Sequence, residues 1–297
     1  MFYCNRVVVR APGKVNLSLD ITGTTNDGYH TLDTIMQTID LSDVVVVGKR
    51  ADDTIRVTCS NPNVPEDDTN IAHKAAKIFF AQTGLPVQGI AIHIDKTIPV
   101  QAGLAGGSTD AAAVLCGLNR LYETDLTQEQ LCEMGRLVGA DVPFCITGGC
   151  KLAQGIGDVF TELSALPDCA IAIAKPPKGV DTRYAFKLYD EYAGQLGRPD
   201  TVSMIEAINS GSLEAIGRHM FNVFEQVGNL QEVELLKGVL TYAGAYGAVM
   251  SGSGSAVIGL FAEEKDAKKC LKQLKDAAGE AYLTKPCPNG AELIHAS

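Results

Sequence analysis

Apolar and polar positions along the chain change rhythm several times, and each rhythm predicts an element. Residues 7–9 and 44–47 are short β-branched runs. Leu17, Leu19 and Ile21 alternate along another stretch, as do Ile55, Val57 and Cys59, and then Ile90, Ile92 and Ile94. A period of two marks a strand with one buried face. Pro12 and Gly13 predict a turn ahead of the strand that carries Leu17. A period of 3.6 replaces it at Ile71, Ala75, Ile78 and Phe79, which predicts a helix over 70–82, capped by Asp68 or Thr69 and ended by Gly84. A second helix is expected over 108–121. A third, over 128–138, opens on a capping box of Thr127 and Gln130. The stretch "GGCKLAQGIGDVF" reads as a β-hairpin.

Beyond residue 160 the pattern shifts. A buried strand at 169–174 precedes helical segments around 183–192, 202–209, 213–226 and 232–242. "AYGAVMSGSGSAVIGLF" reads as two strands joined by a Ser/Gly turn, 265–278 as an amphipathic helix, and the tail as a further strand. Strands and helices without a strict βαβ rhythm indicate α+β. A chain of 297 residues exceeds one typical core, so two domains are expected, 1–160 and 161–297. The formal charge of -10 argues against a nucleic-acid partner, which needs clustered Lys and Arg. Arg6 and Arg10 interrupt any leader-like apolar start, and no long apolar run predicts a membrane span. The nine cysteines, Cys4 among them, lack a C-x-x-C pair and are expected as reduced thiols of a cytoplasmic protein.

Four segments carry chemistry. "QAGLAGGSTDAAA" (101–113) sets glycines and two hydroxyls before an alanine-rich helix. Glycine removes the Cβ that would hold a ligand away, and a helix start offers free N–H groups and positive dipole, so an anion site is one reading. A tight loop with Ser108 as a simple helix cap is the other. The loop holds no lysine, so it is not a P-loop, and no G-x-G-x-x-G occurs. "RAPGKVNLSLDI" sets Lys14 and Asn16 at a strand start. "VGADVPFCITGG" strands Asp141 in an apolar run, where it is either paired or functional. "VMSGSGSAVIGLF" is a second Gly/Ser turn.

In this order and spacing the four segments resemble the GHMP kinases, the family of galactokinase, homoserine kinase and mevalonate kinase, across nearly the whole chain. "DGYH" (27–30), "GADVPFC" and "NVFEQV" narrow the resemblance to the branch that acts on CDP-methylerythritol. Gly13 and Ala105 depart from that branch's pattern. The first keeps mevalonate-type and phosphomevalonate-type kinases open as alternatives, beside a non-catalytic nucleotide- or RNA-binding module.

The resemblance implies a ribosomal-protein-S5-like N-terminal domain and a ferredoxin-like C-terminal domain, with a cleft between them. It implies ATP and Mg²⁺ as cofactors, a small-molecule acceptor, no membrane partner, and a monomer or homodimer. Gly103, Leu104, Ala105, Gly106, Gly107, Ser108 and Thr109 would wrap the ATP phosphates, with Ser108 also facing Mg²⁺. Asn70, Ile71, Lys96 and Asp110 would line the nucleotide pocket; Asp110 near a helix start equally reads as dipole complementation. Asp141 would accept the acceptor's proton beside Lys14. Tyr29, His30 and Phe186 would hold the cytidine, and Asn16 and Thr182 the methylerythritol diphosphate.

Overall fold

The structure is a computed structural model that describes residues 5–87, 89–228 and 230–297. Its N-terminal part runs β1 (Arg6–Thr24), β2 (His30–Lys49), β3 (Ile55–Cys59), α1 (Ile71–Thr83), β4 (Ile90–Asp95), α2 (Gly106–Tyr122), α3 (Gln128–Val138), α4 (Val142–Thr147), β5 (Cys150–Gln154) and β6 (Val159–Glu162). There follow β7 (Ala170–Lys175), α5 (Thr182–Tyr192), α6 (Thr201–Ser210), α7 (Leu213–His219), β8 (Phe221–Asn222), α8 (Gln231–Tyr242), β9 (Gly247–Met250), β10 (Val257–Phe261), α9 (Glu264–Ala278), β11 (Glu280–Thr284) and β12 (Glu292–Ala296).

Two sheets organise these elements. The first has the order β12-β1-β2-β4-β3, with β5 joining β2, β6 joining β5, and β8 lying beside β1. Its inward valines, among them Val7, Val9, Val45 and Val47, pack with Phe79 and Phe80 of α1 and with the buried Ala111, Ala112 and Ala113 of α2. Burial of a large side chain such as Phe79 contributes about 1.5–3 kcal/mol. The alanine run lets α2 lie close against the sheet; at Gly117 a Cβ would stand 3.1 Å from a Val47 methyl and 3.3 Å from Val7. The second sheet has the order β11-β7-β10-β9, all antiparallel. With helices between β7 and β9 and α9 between β10 and β11, this is the strand order of a ferredoxin-like domain, and the α+β expectation holds.

Several local expectations are revised. Pro12 and Gly13 do not make a turn. They lie inside β1, where the pairing with β2 slips between Pro12↔Ser42 and Lys14↔Thr38, so the sequence signal for a turn marks a bulge. Asn70, not Asp68 or Thr69, caps α1, its side chain accepting from the Ala72 N–H at 2.8 Å. Helix α2 opens at Gly106, two residues before Ser108, with Ala105 as its cap residue and no capping side chain. The helix expected over 213–226 stops at His219 and gives way to β8 and a 3₁₀ turn, Val223–Gln226. The tail supplies two strands, of which β12 returns to the first sheet and pairs with β1. The capping box of Thr127 and Gln130 is present in full. Cys4 lies outside the described residues. The described cysteines are free, and burial pushes the Cys116 thiol up to about 12.

Candidate active site

The long β1–β2 hairpin, the start of α2, the start of α4 and the β9–β10 turn meet around a cleft of about 1800 Å³. A single drug-sized ligand occupies roughly 300–1,000 Å³, so this one has room for two substrates side by side.

At its floor stands Lys14, placed there by the β1 bulge and 4% exposed. Its Nζ donates to Asn16 Oδ1 at 2.6 Å and to the Gly103 carbonyl at 3.0 Å, and lies 3.9 Å from Asp141 Oδ2. Asn16 donates in turn to Thr34 Oγ1 at 2.8 Å, which fixes its oxygen toward the ammonium. Asp141 is the residue before α4, in helical backbone, and its carboxylate does not cap that helix. It lines the cleft with its side chain 39% exposed, open to a ligand.

The glycine loop crosses this floor. Gly103 has φ +76, and a Cβ on it would fall 2.0 Å from the Ser251 carbonyl, so loop and β9–β10 turn touch backbone to backbone. Ser251 Oγ donates to the Gly103 carbonyl at 2.9 Å and accepts from the Asn16 N–H at 3.1 Å. Ala105 sits at φ +58. The amides that open α2 have no partner within the helix and no side-chain cap, and Gly106, Gly107 and Ser108 line the cleft. Thr109 is placed differently: it is fully buried and spends its hydroxyl on the Pro12 carbonyl at 2.8 Å, so it anchors the loop to β1 instead of lining the cleft.

Beneath the loop is a buried charge cluster. Lys96 pairs with Asp43 and, at 2.9 Å, with Asp110. Asp43 also accepts from the Thr97 and Ile98 N–H groups at 2.6 and 2.8 Å. Burial pulls the Lys96 ammonium down, but Asp110 and Asp43 together outweigh it, and its pKa is raised. Burial, helped by Asp43 and opposed by Lys96, holds the Asp110 carboxyl well above the usual carboxylate range. Its Oδ1 has no hydrogen-bond partner among the described residues. Gly106 leaves space for this cluster, since a Cβ there would stand 3.0 Å from Lys96 Nζ. Asn70 and Ile71 line the same side of the cleft.

At the far end His30 stacks on Phe186, centroids 4.5 Å apart and 24° from parallel. Its Nε2 lies 2.8 Å from Asp190 Oδ1. Tyr29 is 66% exposed at the rim. Thr182 opens α5, with its hydroxyl 2.8 Å from that of Ser253.

Sequence reasoning passed over the residues that hold the β9–β10 turn. Asn222 Nδ2 donates to the Met250 and Gly252 carbonyls, each at 2.7 Å. Glu225 accepts from the Met250 N–H at 2.6 Å and pairs with Lys237. The signal was Asn222 and Glu225 set around the apolar Val223 and Phe224 in "NVFEQV". Asp43 and Asp190 were also missed; nothing in their local sequence separates them from solvated aspartates.

Likeness to known proteins runs along most of the chain. The family model for the N-terminal domain of GHMP kinases matches residues 70–149, and that for the GHMP kinases C-terminal region matches 204–280. A 4-diphosphocytidyl-2-C-methyl-D-erythritol kinase from Caldicellulosiruptor saccharolyticus is 43% identical over 285 residues, covering 95% of this chain and 98% of that protein. A crystal structure of 4-(cytidine 5'-diphospho)-2C-methyl-D-erythritol kinase matches with a TM-score of 0.78 at 30% identity, over 94% of this chain and 98% of that one. L. major mevalonate kinase in complex with R-mevalonate shares the fold at a TM-score of 0.75 and 16% identity, over 97% of each chain. Two matching domains in the expected order, and a relative this similar along almost its whole length, make the chain a member of the GHMP kinase family.

Proposed function

We propose that the chain is an ATP-dependent kinase that phosphorylates the 2-hydroxyl of 4-diphosphocytidyl-2-C-methyl-D-erythritol. One observation carries this: an ammonium and a carboxylate 3.9 Å apart stand between an uncapped, glycine-lined helix start and an aromatic stack. The names of its relatives favour this acceptor over mevalonate, because the likeness to mevalonate kinase reaches only the fold.

In this reading the amides of Gly106, Gly107 and Ser108 hold the ATP phosphates, with Gly103, Leu104 and Ala105 shaping the loop and Asn70, Ile71, Lys96 and Asp110 bounding the nucleoside side. The cytosine stacks in the His30–Phe186 region under Tyr29, and Asp190 orients His30 for reading the base edge. Asn16 and Thr182 hold the other end of the acceptor. Asp141 takes the proton of the 2-hydroxyl as its oxygen bonds to the γ-phosphorus. The bond from that phosphorus to the β–γ bridging oxygen breaks, and ADP leaves with the electron pair. Lys14 neutralises charge on the moving phosphoryl group, in a transition state governed by positioning and electrostatics. The Ser108 side chain makes no hydrogen bond among the described residues, and no cluster of three metal-ligating side chains occurs among them. Ser108, at the rim of the α2 start, would face a Mg²⁺ brought in with the nucleotide, and such an ion would lower the charge of the phosphates. Residues 1–160 supply the nucleotide side and 161–297 much of the acceptor side. No helix among the described residues is long and apolar enough to cross a membrane, and the reading places the enzyme in the cytoplasm.

A coupled ADP-release assay tests the reading with CDP-methylerythritol, mevalonate and homoserine as acceptors. Turnover with the first alone is expected. Turnover with mevalonate but not CDP-methylerythritol would replace this reading with the mevalonate-type one.

A further inference from the structure

Among the described residues six cationic side chains line the cleft, and most are already engaged. Lys14 binds Asn16 and the Gly103 carbonyl, Lys96 is held by two aspartates, Lys74 donates to the Val138 carbonyl at 2.8 Å, and Arg136 lies 3.7 Å from Asp158. Arg183 and Lys187 differ. Both are exposed, and neither has an ion-pair or hydrogen-bond partner among the described residues.

Their place in the fold gives the pair a direction. Helix α5 buries Ala185 and Tyr189 and turns Thr182, Arg183, Phe186, Lys187 and Asp190 toward the cleft. Phe186 carries the His30 stack. One turn earlier, Thr182 touches Ser253 of the β9–β10 turn, and at neighbouring Gly252 a Cβ would lie 3.5 Å from Lys14 Nζ. A path therefore runs from the aromatic stack, along one helical turn of roughly 6 Å, to the ammonium at the reacting end. Arg183 stands beside that path, and Lys187 flanks its aromatic end. In a chain of formal charge -10, two unpaired cations on the face joining a base stack to a phosphoryl-transfer floor ask for an anion between them.

We infer that Arg183 and Lys187 are the seat of the diphosphate in the acceptor, and so select a nucleoside-diphosphate-linked alcohol over an uncharged or singly charged one. This rests on the acceptor proposed above. Arg183, with its planar fork, takes two phosphate oxygens, and Lys187 adds a point charge from the next turn. The pair is a binding and specificity element, remote from the transferred phosphoryl group, so its loss raises KM for the acceptor and leaves kcat nearly intact.

The test compares CDP with cytidine by calorimetry on wild type, Arg183→Gln, Lys187→Gln and the double variant, together with KM for ATP and CDP-methylerythritol. Losing charge-assisted bonds should weaken CDP about 10- to 100-fold in the double variant, leave cytidine binding unchanged, and raise the acceptor KM by a similar factor. Arg183→Lys should recover part of the loss, and KM for ATP should stay constant. Both positions are exposed, and unchanged cytidine binding doubles as the check that each variant is folded. Equal CDP affinity in wild type and double variant overturns this inference alone. A wild-type protein that neither binds CDP nor turns over CDP-methylerythritol overturns it together with the proposed acceptor.

Discussion

Lys14 is held by Asn16 and by the Gly103 carbonyl, and only loosely by Asp141. Removing the carboxylate therefore leaves the ammonium in place. Asp141→Asn is expected to lower kcat by about 10²-fold or more while ATP binding persists, as loss of a general base does; steady-state kinetics and nucleotide titration check both halves. Asp110 behaves differently because it is buried beside Asp43 with one oxygen unpartnered. Its folded pKa is raised above the unfolded one, so between the two values the native state holds more protons than the unfolded state. Stability is then fully present below the ordinary carboxylate pKa and falls as pH rises toward the folded value. Urea melts at pH 5 and pH 8 should show this fall in wild type and a flatter response in Asp110→Asn, whose Lys96 keeps Asp43. An equally steep fall in the variant would assign the pH dependence to another group. Asp110 was picked out from the sequence as a helix-start acid. Its cross-sheet partner Asp43 could not be, since the pairing spans 53 residues between Asp43 and Lys96.

At the scale of elements, the glycine loop and the β9–β10 turn act as one interlocked unit. Gly103→Ala adds a Cβ into the Ser251 carbonyl at a left-handed φ, and a cost of about 2 kcal/mol or more is expected, with turnover falling because Lys14 is bonded to the carbonyl of Gly103 itself. Ala105→Gly is the contrast. It relieves a left-handed alanine by about 1–2 kcal/mol and gives back about 0.5–1 kcal/mol in backbone entropy, so thermal stability should hold or rise slightly. Asn222→Ala leaves the buried Met250 and Gly252 carbonyls without their donor and should cost about 2–4 kcal/mol, visible as a lower melting temperature with reduced turnover. These elements also show where the sequence was readable. The periodicity of α1, the capping box of α3 and the paired strands β9 and β10 depend on neighbours in the chain, and local pattern revealed them. The Pro12–Gly13 bulge was misread because the same residues serve turns and bulges; only pairing with Ser42 and Thr38, far along the chain, decides between them. Helix α4 went unseen because six residues are too few for a period, and β8 because two residues carry none.

At the scale of the molecule, the chain crosses between its sheets more than once. Strand β8 lies parallel to β1 through Ser18↔Phe221 and Leu19↔Asn222, and β12 closes the far edge of β1 through Val7↔Ala296. The Ser297 carbonyl accepts from the Asn5 and Arg6 N–H groups at 2.8 and 2.9 Å. The tail reads as a strand in the sequence, but its destination is a long-range fact that no local pattern carries, so a division at residue 160 leaves out the last strand of the first sheet. The consequence is physical. Without β12, residues Val7–Arg10 present an unpaired edge of β1 in a chain whose inner valines are already committed to the core, and such edges recruit other chains. Deleting residues 292–297 should therefore lower the melting temperature and raise the fraction of aggregate on size exclusion, although every residue of the cleft is retained. Residues 1–160 expressed alone should be less soluble still, having lost β8 and the second-sheet residues that cover Val15, Leu17, Ile35 and Ile39. Adding the 291–297 segment back through a flexible linker after residue 160 should recover the part of the solubility that the edge accounts for, because it restores the antiparallel partner and nothing of the second sheet. Recovery by the linker alone would trace the defect to the exposed end at residue 160 and not to the missing strand.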